Sequence, residues 1–485
     1  MSIESEVLEL YRGYEQKIRA VSVRNLRQFV VGVDKEVPLL GGRSARYVNL
    51  DNAATTPPLV PMLECQRQFF EWYASVHRGS GFKSLLSTYT YEKCRQQVAD
   101  FVGADLSYHS VIFTQNATHA LNKLASRLCP LPGQTVLTTE AEHHSNILPW
   151  RKAGCALLYA DASAEDGALD MADLERKVRS ANGRLKLVTV TGASNVTGIL
   201  PPIRRIARLA HEHDAMIAID GAQLVPHRPF QIGAPDDPER VDFLAFSGHK
   251  MYAPFGSGVL IGPKQVFQQG WPDMVGGGTV NAVTMDEVWW AAPPESDEAG
   301  TPNVLGAIAL ACAARLLETV GREELAEHER MLTRRALHAL SRIEGLRFYG
   351  PADHDLRQDR LGVVTFNAER YDHAHLAAIL GHEWGIGVRN GCFCAQPYVR
   401  KLLGVSAAQM DEIVGKLAAG DHASVPGMVR VSLAMYNTAE EIEYLAEALK
   451  SILSRGPRAR YVLDKRYLDY VPDTLPAQFD DYAPF

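Results

Sequence analysis

Lys250 stands in the segment FSGHKMYAPFGSG, just beyond the apolar run FLAFS (243–247). A lysine held at a strand end among Ser, His and Gly can form a Schiff base with a carbonyl. Most lysines are solvated surface groups; the surrounding segment sets this one apart. Asp220 closes a second apolar run, MIAID (216–220). A carboxylate at a buried strand end needs a cation or hydrogen-bond donors. A protonated pyridine nitrogen would serve, and so would the first amides of a following helix. Thr118, Ser247 and His249 add hydroxyl and imidazole groups, and Ala117 and Thr118 open a helical stretch whose N-terminal amides attract phosphate. Simple capping is the competing reading of Thr118. His143 has the shape to stack on a flat ring, against the reading of an ordinary loop histidine.

These residues share a placement. From about 45 to 310 short apolar runs alternate with helical stretches. The runs are VIFT (111–114), TVLTT (135–139), CALLYA (155–160), LKLVTVTG (185–192), MIAID, FLAFS and GVLIG (258–262). This alternation predicts βαβ units and a mostly parallel sheet covered on both faces. In such sheets ligands bind beyond the carboxyl ends of the strands. Five loops deliver polar groups there: Gln115–Thr118, Glu142–His144, Ser194–Gly198, Asp220–Gln223 and Ser247–Lys250.

The rest of the chain divides around this unit. Residues 1–44 read as a helical extension, with Leu8, Leu10, Tyr11 and Ile18 on one apolar stripe over 1–33. Residues 45–310 form the large α/β domain. Residues 311–455 carry longer helical patterns with fewer strands and read as a smaller α+β domain. Thr438 and Glu441 make a capping box there. Residues 456–485 lack clear periodicity and read as an extension along the surface or toward a partner subunit.

Lys and Arg total 50 against 57 Asp and Glu among 485 residues, a net charge of −7. A mildly acidic chain has no bulk attraction for nucleic acid or anionic membrane. No targeting segment and no apolar run long enough for a transmembrane helix is visible. Seven cysteines are too sparse for a disulfide scaffold and point to a reducing, cytoplasmic compartment. The odd count leaves room for a working thiol.

Ordered motifs then accumulate: LDNAATTPP (50–58), VHRG (76–79), EHHSNILPW (142–150), SNVTG (194–198), DGAQ (220–223), SGHKMYAPFGSG (247–258), GGGT (276–279), EAGTPN (298–303), VRNGCFCA (388–395) and RVSLAMYN (430–437). Together they resemble the class V aminotransferase group of fold-type-I enzymes that use pyridoxal 5′-phosphate (PLP). The resemblance is to its cysteine desulfurase and selenocysteine lyase subgroup. It spans about 45 to 455 and implies a seven-stranded, mostly parallel sheet with a smaller α+β domain. It further implies that Lys250 holds PLP as a Schiff base, Asp220 pairs with the ring nitrogen and His143 stacks on the ring. Asn195 and Gln223 would lie near the phenolic oxygen. Ala117, Thr118, Ser247 and His249 would bind the phosphate, which Thr301 would reach across the interface of a homodimer. Arg430, with Asn195 and Arg389, would take the substrate carboxylate. Cys394 would attack the substrate sulfur, giving alanine and a persulfide for a sulfur-acceptor protein. No metal is implied.

Departures are local. Cys392 stands where relatives often have His two residues before the catalytic Cys, and its reading as inert or modulatory is favoured over a shared persulfide or a strained disulfide. Asn116 and His119 replace residues that are often Gly and Glu. Glycines in the Gly385–Gly391 stretch suggest a mobile loop. Cys65, Cys94, Cys129, Cys155 and Cys312 read as packed apolar residues. A second reading keeps the cofactor for a carbon–sulfur lyase, aminotransferase or epimerase of a specialised pathway. A third is a non-catalytic scaffold or sulfur-relay partner.

Overall fold

The apolar runs of the first half pair into one sheet. The computed structural model describes residues 18–128, 134–181, 183–351, 356, 358–418, 425–464, 469–474, 479 and 482. The sheet strands are β1 (His109–Thr114), β2 (Thr135–Thr139), β3 (Ala156–Ala160), β4 (Leu185–Thr191), β5 (Met216–Asp220), β6 (Phe243–Ser247) and β7 (Gly258–Pro263). Their order is β1-β7-β6-β5-β4-β2-β3. β7 runs antiparallel to both neighbours, while the pairs from β6 through β3 are parallel. Every residue of β2, β6 and β7 is buried. A sheet covered on both faces needs such continuous apolar strands rather than alternation.

Four helices matter for the site and its support. α1 (Ala117–Leu128) starts at the end of β1. α2 (Val304–Val320) is almost wholly buried in the core of the large sheet. The sequence break expected near 310 therefore falls inside a continuous helix. α3 (Arg322–Leu340) and α4 (His373–Trp384) belong to a second core. That core covers an antiparallel sheet of β8 (Leu346–Tyr349), β9 (Val363–Ala368), β10 (Arg389–Gly391) and β11 (Met428–Ser432), ordered β8-β9-β11-β10. Val48 and Leu50 pack into this second core, and Val48–Asn49 pairs in parallel with Ile386–Gly387.

The two cores are joined by buried charge. Glu329 on α3, fully buried, takes the His227 ring at 2.6 Å, the Arg228 guanidinium at 3.3 Å and the Gly362 amide at 2.8 Å. Gly198 meets the same region: at φ +75°, a Cβ there would stand 2.7 Å from the Leu361 carbonyl oxygen. Only glycine tolerates that backbone and that approach together.

Several expectations change. Residues 1–17 lie outside the described residues, and 20–33 hold a short 3₁₀ turn (Leu26–Phe29) rather than an α-helix. α5 (Ala439–Arg455) begins with the Thr438–Glu441 capping box. Beyond it, part of the stretch without periodicity forms a hairpin, β12 (Tyr461–Asp464) with β13 (Asp469–Pro472). Cys155 is disulfide-bonded rather than a packed thiol, and Cys129 lies outside the described residues. Cys94 is buried as read, and the Cys65 and Cys312 sulfurs lie 3.1 Å apart. Among the described residues no single helix is long and apolar enough to cross a membrane, and no cluster of metal-ligating side chains occurs.

Candidate active site

At the carboxyl ends of the large-sheet strands lies a cavity of about 600 Å³, closed from the other side by β10, β11 and the loop after β10. Its lining includes Ala117, Thr118, His143, Asn195, Asp220, Gln223, Ser247, His249, Lys250, Arg389, Cys394 and Arg430. The sequence places these residues in seven separate segments, and the fold brings them around one cavity. Thr301 does not line it; it lies exposed just ahead of α2.

At one end the start of α1 faces the cavity. The Ala117 amide donates to the Ser247 hydroxyl (2.8 Å), and the Thr118 and Ser145 hydroxyls meet at 2.7 Å. Amides at a helix start carry partial positive charge and suit a phosphate. Half-buried His249 borders this end. Burial, then the nearby Lys250, lowers its ring to about 4, so it is neutral at pH 7.

Lys250 leaves the end of β6 in a 3₁₀ turn, Gly248–Lys250. Burial lowers its ammonium to about 8; Arg430 adds to this, while Asp220 and Cys394 oppose it. A lysine poised near 8 supplies free amine at modest cost. Asp220 is buried and receives the Ala222 amide at 3.1 Å. Burial raises its carboxyl, with Lys250 opposing. His143 is lowered to about 3, first by burial and then by Lys250, His144 and Arg430. Its Nδ1 accepts the Ser145 amide at 3.1 Å, which assigns the ring proton to Nε2. The adjacent Glu142, fully buried, accepts from Thr139, Asn146 and the Thr191 amide, and so anchors the loop that carries His143.

The opposite end is cationic. Arg430 is buried in β11 and donates to the Asn195 carbonyl (3.0 Å) and to Asp51 (2.9 Å). Arg389 pairs with the other Asp51 oxygen at 3.1 Å. Asp51 is a participant the sequence reading did not single out, although its motif was quoted. Its signal was an acidic residue directly after a short buried strand.

The cysteine loop is held by several hydrogen bonds. The Ala395 amide donates to the Cys392 carbonyl (2.9 Å), and Phe393 and Cys394 have φ of +52° and +55°. This is the geometry of a type I′ turn, here without glycine at either left-handed position. Asn195 donates to the Phe393 carbonyl (2.8 Å), the His144 amide to the Cys394 carbonyl (2.6 Å) and the Gln396 amide to the His144 ring (3.1 Å). Cys394 is exposed at the turn, while Cys392 is half-buried, its thiol raised by burial against the opposing pull of a backbone hydrogen bond at Cys394.

Comparison with known proteins fixes the family. The class V aminotransferase model matches residues 48–445. The chain belongs to the class V aminotransferase family. Among class V relatives, a probable cysteine desulfurase of Halalkalibacterium halodurans is 35% identical over 89% of this chain and 98% of its own. A cysteine desulfurase of Dickeya dadantii is 34% identical over 83% and 91%. The apo structure of the Thermococcus onnurineus cysteine desulfurase superposes with a TM-score of 0.75 at 31% identity, covering 88% of this chain and 97% of that one. The Escherichia coli cysteine desulfurase CsdA gives 0.69 at 29%, covering 84% and 94%.

The class V cofactor is PLP, and the residues present fit it. The Gln223 side-chain oxygen and the Arg430 Nε are buried without a partner among the described residues. Asp220 has one backbone donor and no cation in hydrogen-bond contact. A protonated ring nitrogen would complement Asp220, a phenolic hydroxyl could donate to the Gln223 oxygen, and a phosphate suits the start of α1, which leaves Arg430 Nε for the substrate carboxylate.

Proposed function

We propose that this protein is a PLP-dependent cysteine desulfurase that converts L-cysteine to L-alanine and takes the sulfur as a persulfide on Cys394. The observation that carries this is the placement of Lys250, Asp220, Arg430 and Cys394 around one cavity. The names of the relatives support the choice of substrate.

PLP, when bound, supplies an electron sink for the bond changes at the substrate's α-carbon. The chain supplies the rest. Lys250 would hold the cofactor and, as an amine, move a proton at the α-carbon. Asp220 would keep the ring nitrogen protonated, and neutral His143 would cover a ring face. Asn195 and Gln223 would orient the phenolic oxygen; Ala117, Thr118, Ser247 and His249 would hold the phosphate. Arg430 and Arg389 would grip the substrate carboxylate, since guanidinium geometry suits a bidentate pair. Cys394 would attack as thiolate, the nucleophilic form of sulfur. Thr301 would complete the phosphate site of a partner subunit in a homodimer, and a sulfur-acceptor protein would collect the persulfide in the cytoplasm.

The test is holoprotein with L-cysteine, read as alanine, sulfide and mass added at Cys394. Wild type yields all three, and Cys394→Ala loses the persulfide and most of the alanine while keeping the cofactor absorption band. Undiminished alanine and sulfide from Cys394→Ala would overturn the reading in favour of a carbon–sulfur lyase.

A further inference from the structure

β10 carries Arg389 and Asn390 into the cavity and leads directly to Cys392 and Cys394. It is also a short edge strand, packed on α4. It has three residues and lies at the edge of its sheet, where among the described residues it pairs with β11 through Arg389↔Arg430, Asn390↔Val429 and Gly391↔Met428. An edge strand leaves one row of backbone groups unpaired on its open side, and native proteins often set another segment beside it.

The hairpin β12–β13 touches that side. One oxygen of the Asp469 carboxylate accepts the adjacent Tyr470 amide at 2.8 Å. Its other oxygen accepts the Asn390 side-chain amide at 3.3 Å. The hairpin is itself bolted to α4. Tyr470 stacks on His375 (4.8 Å between centroids, 16° between planes), and Tyr461 lies against the same ring at 5.2 Å. Buried Glu383 accepts the Arg458 amide (2.8 Å) and the Tyr461 hydroxyl (3.2 Å). Arg458 lies over the Trp384 ring at 5.0 Å. The result is a bracket from the outer face of α4 to the active-site strand. The hairpin itself lies beyond the segment matched by the family model, which stops at residue 445.

We propose that the hairpin β12–β13 is a positioning clasp for the active-site strand, with Asp469 as a positioning residue that acts through Asn390 on Arg389 and the cysteine turn. Asp469 is not among the residues that line the cavity. The functional consequence of the clasp rests on the desulfurase reading, but its structural core can be measured without substrate.

The experiment uses the full-length holoenzyme, its Asp469→Ala and Asp469→Asn variants, and a chain stopped after Gly456. Amide hydrogen exchange is followed in peptides covering 386–396 and, as control, in β4–β6. In Asp469→Ala, exchange over 386–396 accelerates about tenfold, the scale of one hydrogen bond to a charged group, with β4–β6 unchanged. Asp469→Asn, which keeps an acceptor oxygen for Asn390, restores most of the protection. The KM for L-cysteine rises in parallel while the cofactor absorption band stays as in wild type. The shortened chain shows the same pattern more strongly if it folds; if it does not, the two point variants decide. Exchange in Asp469→Ala within twofold of wild type overturns the proposal. So does equal loosening of β4–β6, or an Asn variant as fast as the Ala variant. Wild type that makes no alanine, with the exchange pattern as described, would sink the desulfurase reading and leave the clasp standing.

Discussion

Arg430 and Asp51 are joined at 2.9 Å where the two cores meet, and Asp51 sits in a bridge with Ser432, two residues along β11. The second Asp51 oxygen holds Arg389, so one carboxylate sets two guanidiniums side by side. Without it the two cations repel, and buried Arg430 loses its one carboxylate partner. Asp51→Asn should raise the KM for L-cysteine about tenfold, near 1.4 kcal/mol of ground-state binding. The cofactor band should not change. Steady-state kinetics with the absorption spectrum checks both halves.

Lys250 gives a pH prediction. With its ammonium lowered to about 8 by burial, the free amine appears as pH rises through 8, not through the 10.5 of an ordinary lysine. Capture of added PLP by apoprotein should therefore speed up between pH 7 and 9 and level off above. Linkage has the matching sign. The folded state binds the proton less tightly than the unfolded chain, so apoprotein gains stability as pH rises from about 8 toward 10.5. Stopped-flow absorbance at a series of pH values measures the first effect, and urea unfolding the second. A capture rate flat to pH 9 would contradict the assignment.

Glu329 predicts a loss of stability. Burial pushes its carboxyl up, but His227 and Arg228 outweigh that and leave it below the ordinary value. The stabilisation is present above the unfolded-state value of 4.5 and is lost as pH falls through the lower folded value. Glu329→Gln removes the carboxylate shared by His227, Arg228 and the Gly362 amide, while Arg228 keeps Asp359; losing a buried charged hydrogen-bond partner costs about 1–3 kcal/mol. The urea midpoint should fall accordingly at pH 7, and the gap to wild type should narrow in acid.

What the sequence disclosed was set by how local the signal is. The seven strands of the large sheet could be read because buried parallel strands are continuous apolar runs, and the loop groups followed from position alone. Asp51 was missed because its role depends on β11, almost 400 residues away, arriving opposite it. The hairpin at Tyr461–Pro472 was missed because its two strands do not alternate; their Tyr residues pack against His375, which no local pattern announces. The turn at Cys392–Ala395 was missed for the opposite reason. Turns of that hand normally advertise themselves with Gly or Asn, and Phe393 and Cys394 are neither.

That turn carries a cost of its own. An L-residue in the left-handed region is disfavoured by roughly 1–2 kcal/mol, and the chain accepts this twice in succession at Phe393 and Cys394. Glycine would relieve it. Cys394→Gly should thus unfold at a higher urea concentration than wild type while making no persulfide. The residue proposed to be indispensable for turnover is then one that the fold, left to itself, would discard. Selection for stability alone would erase the proposed nucleophile at this position.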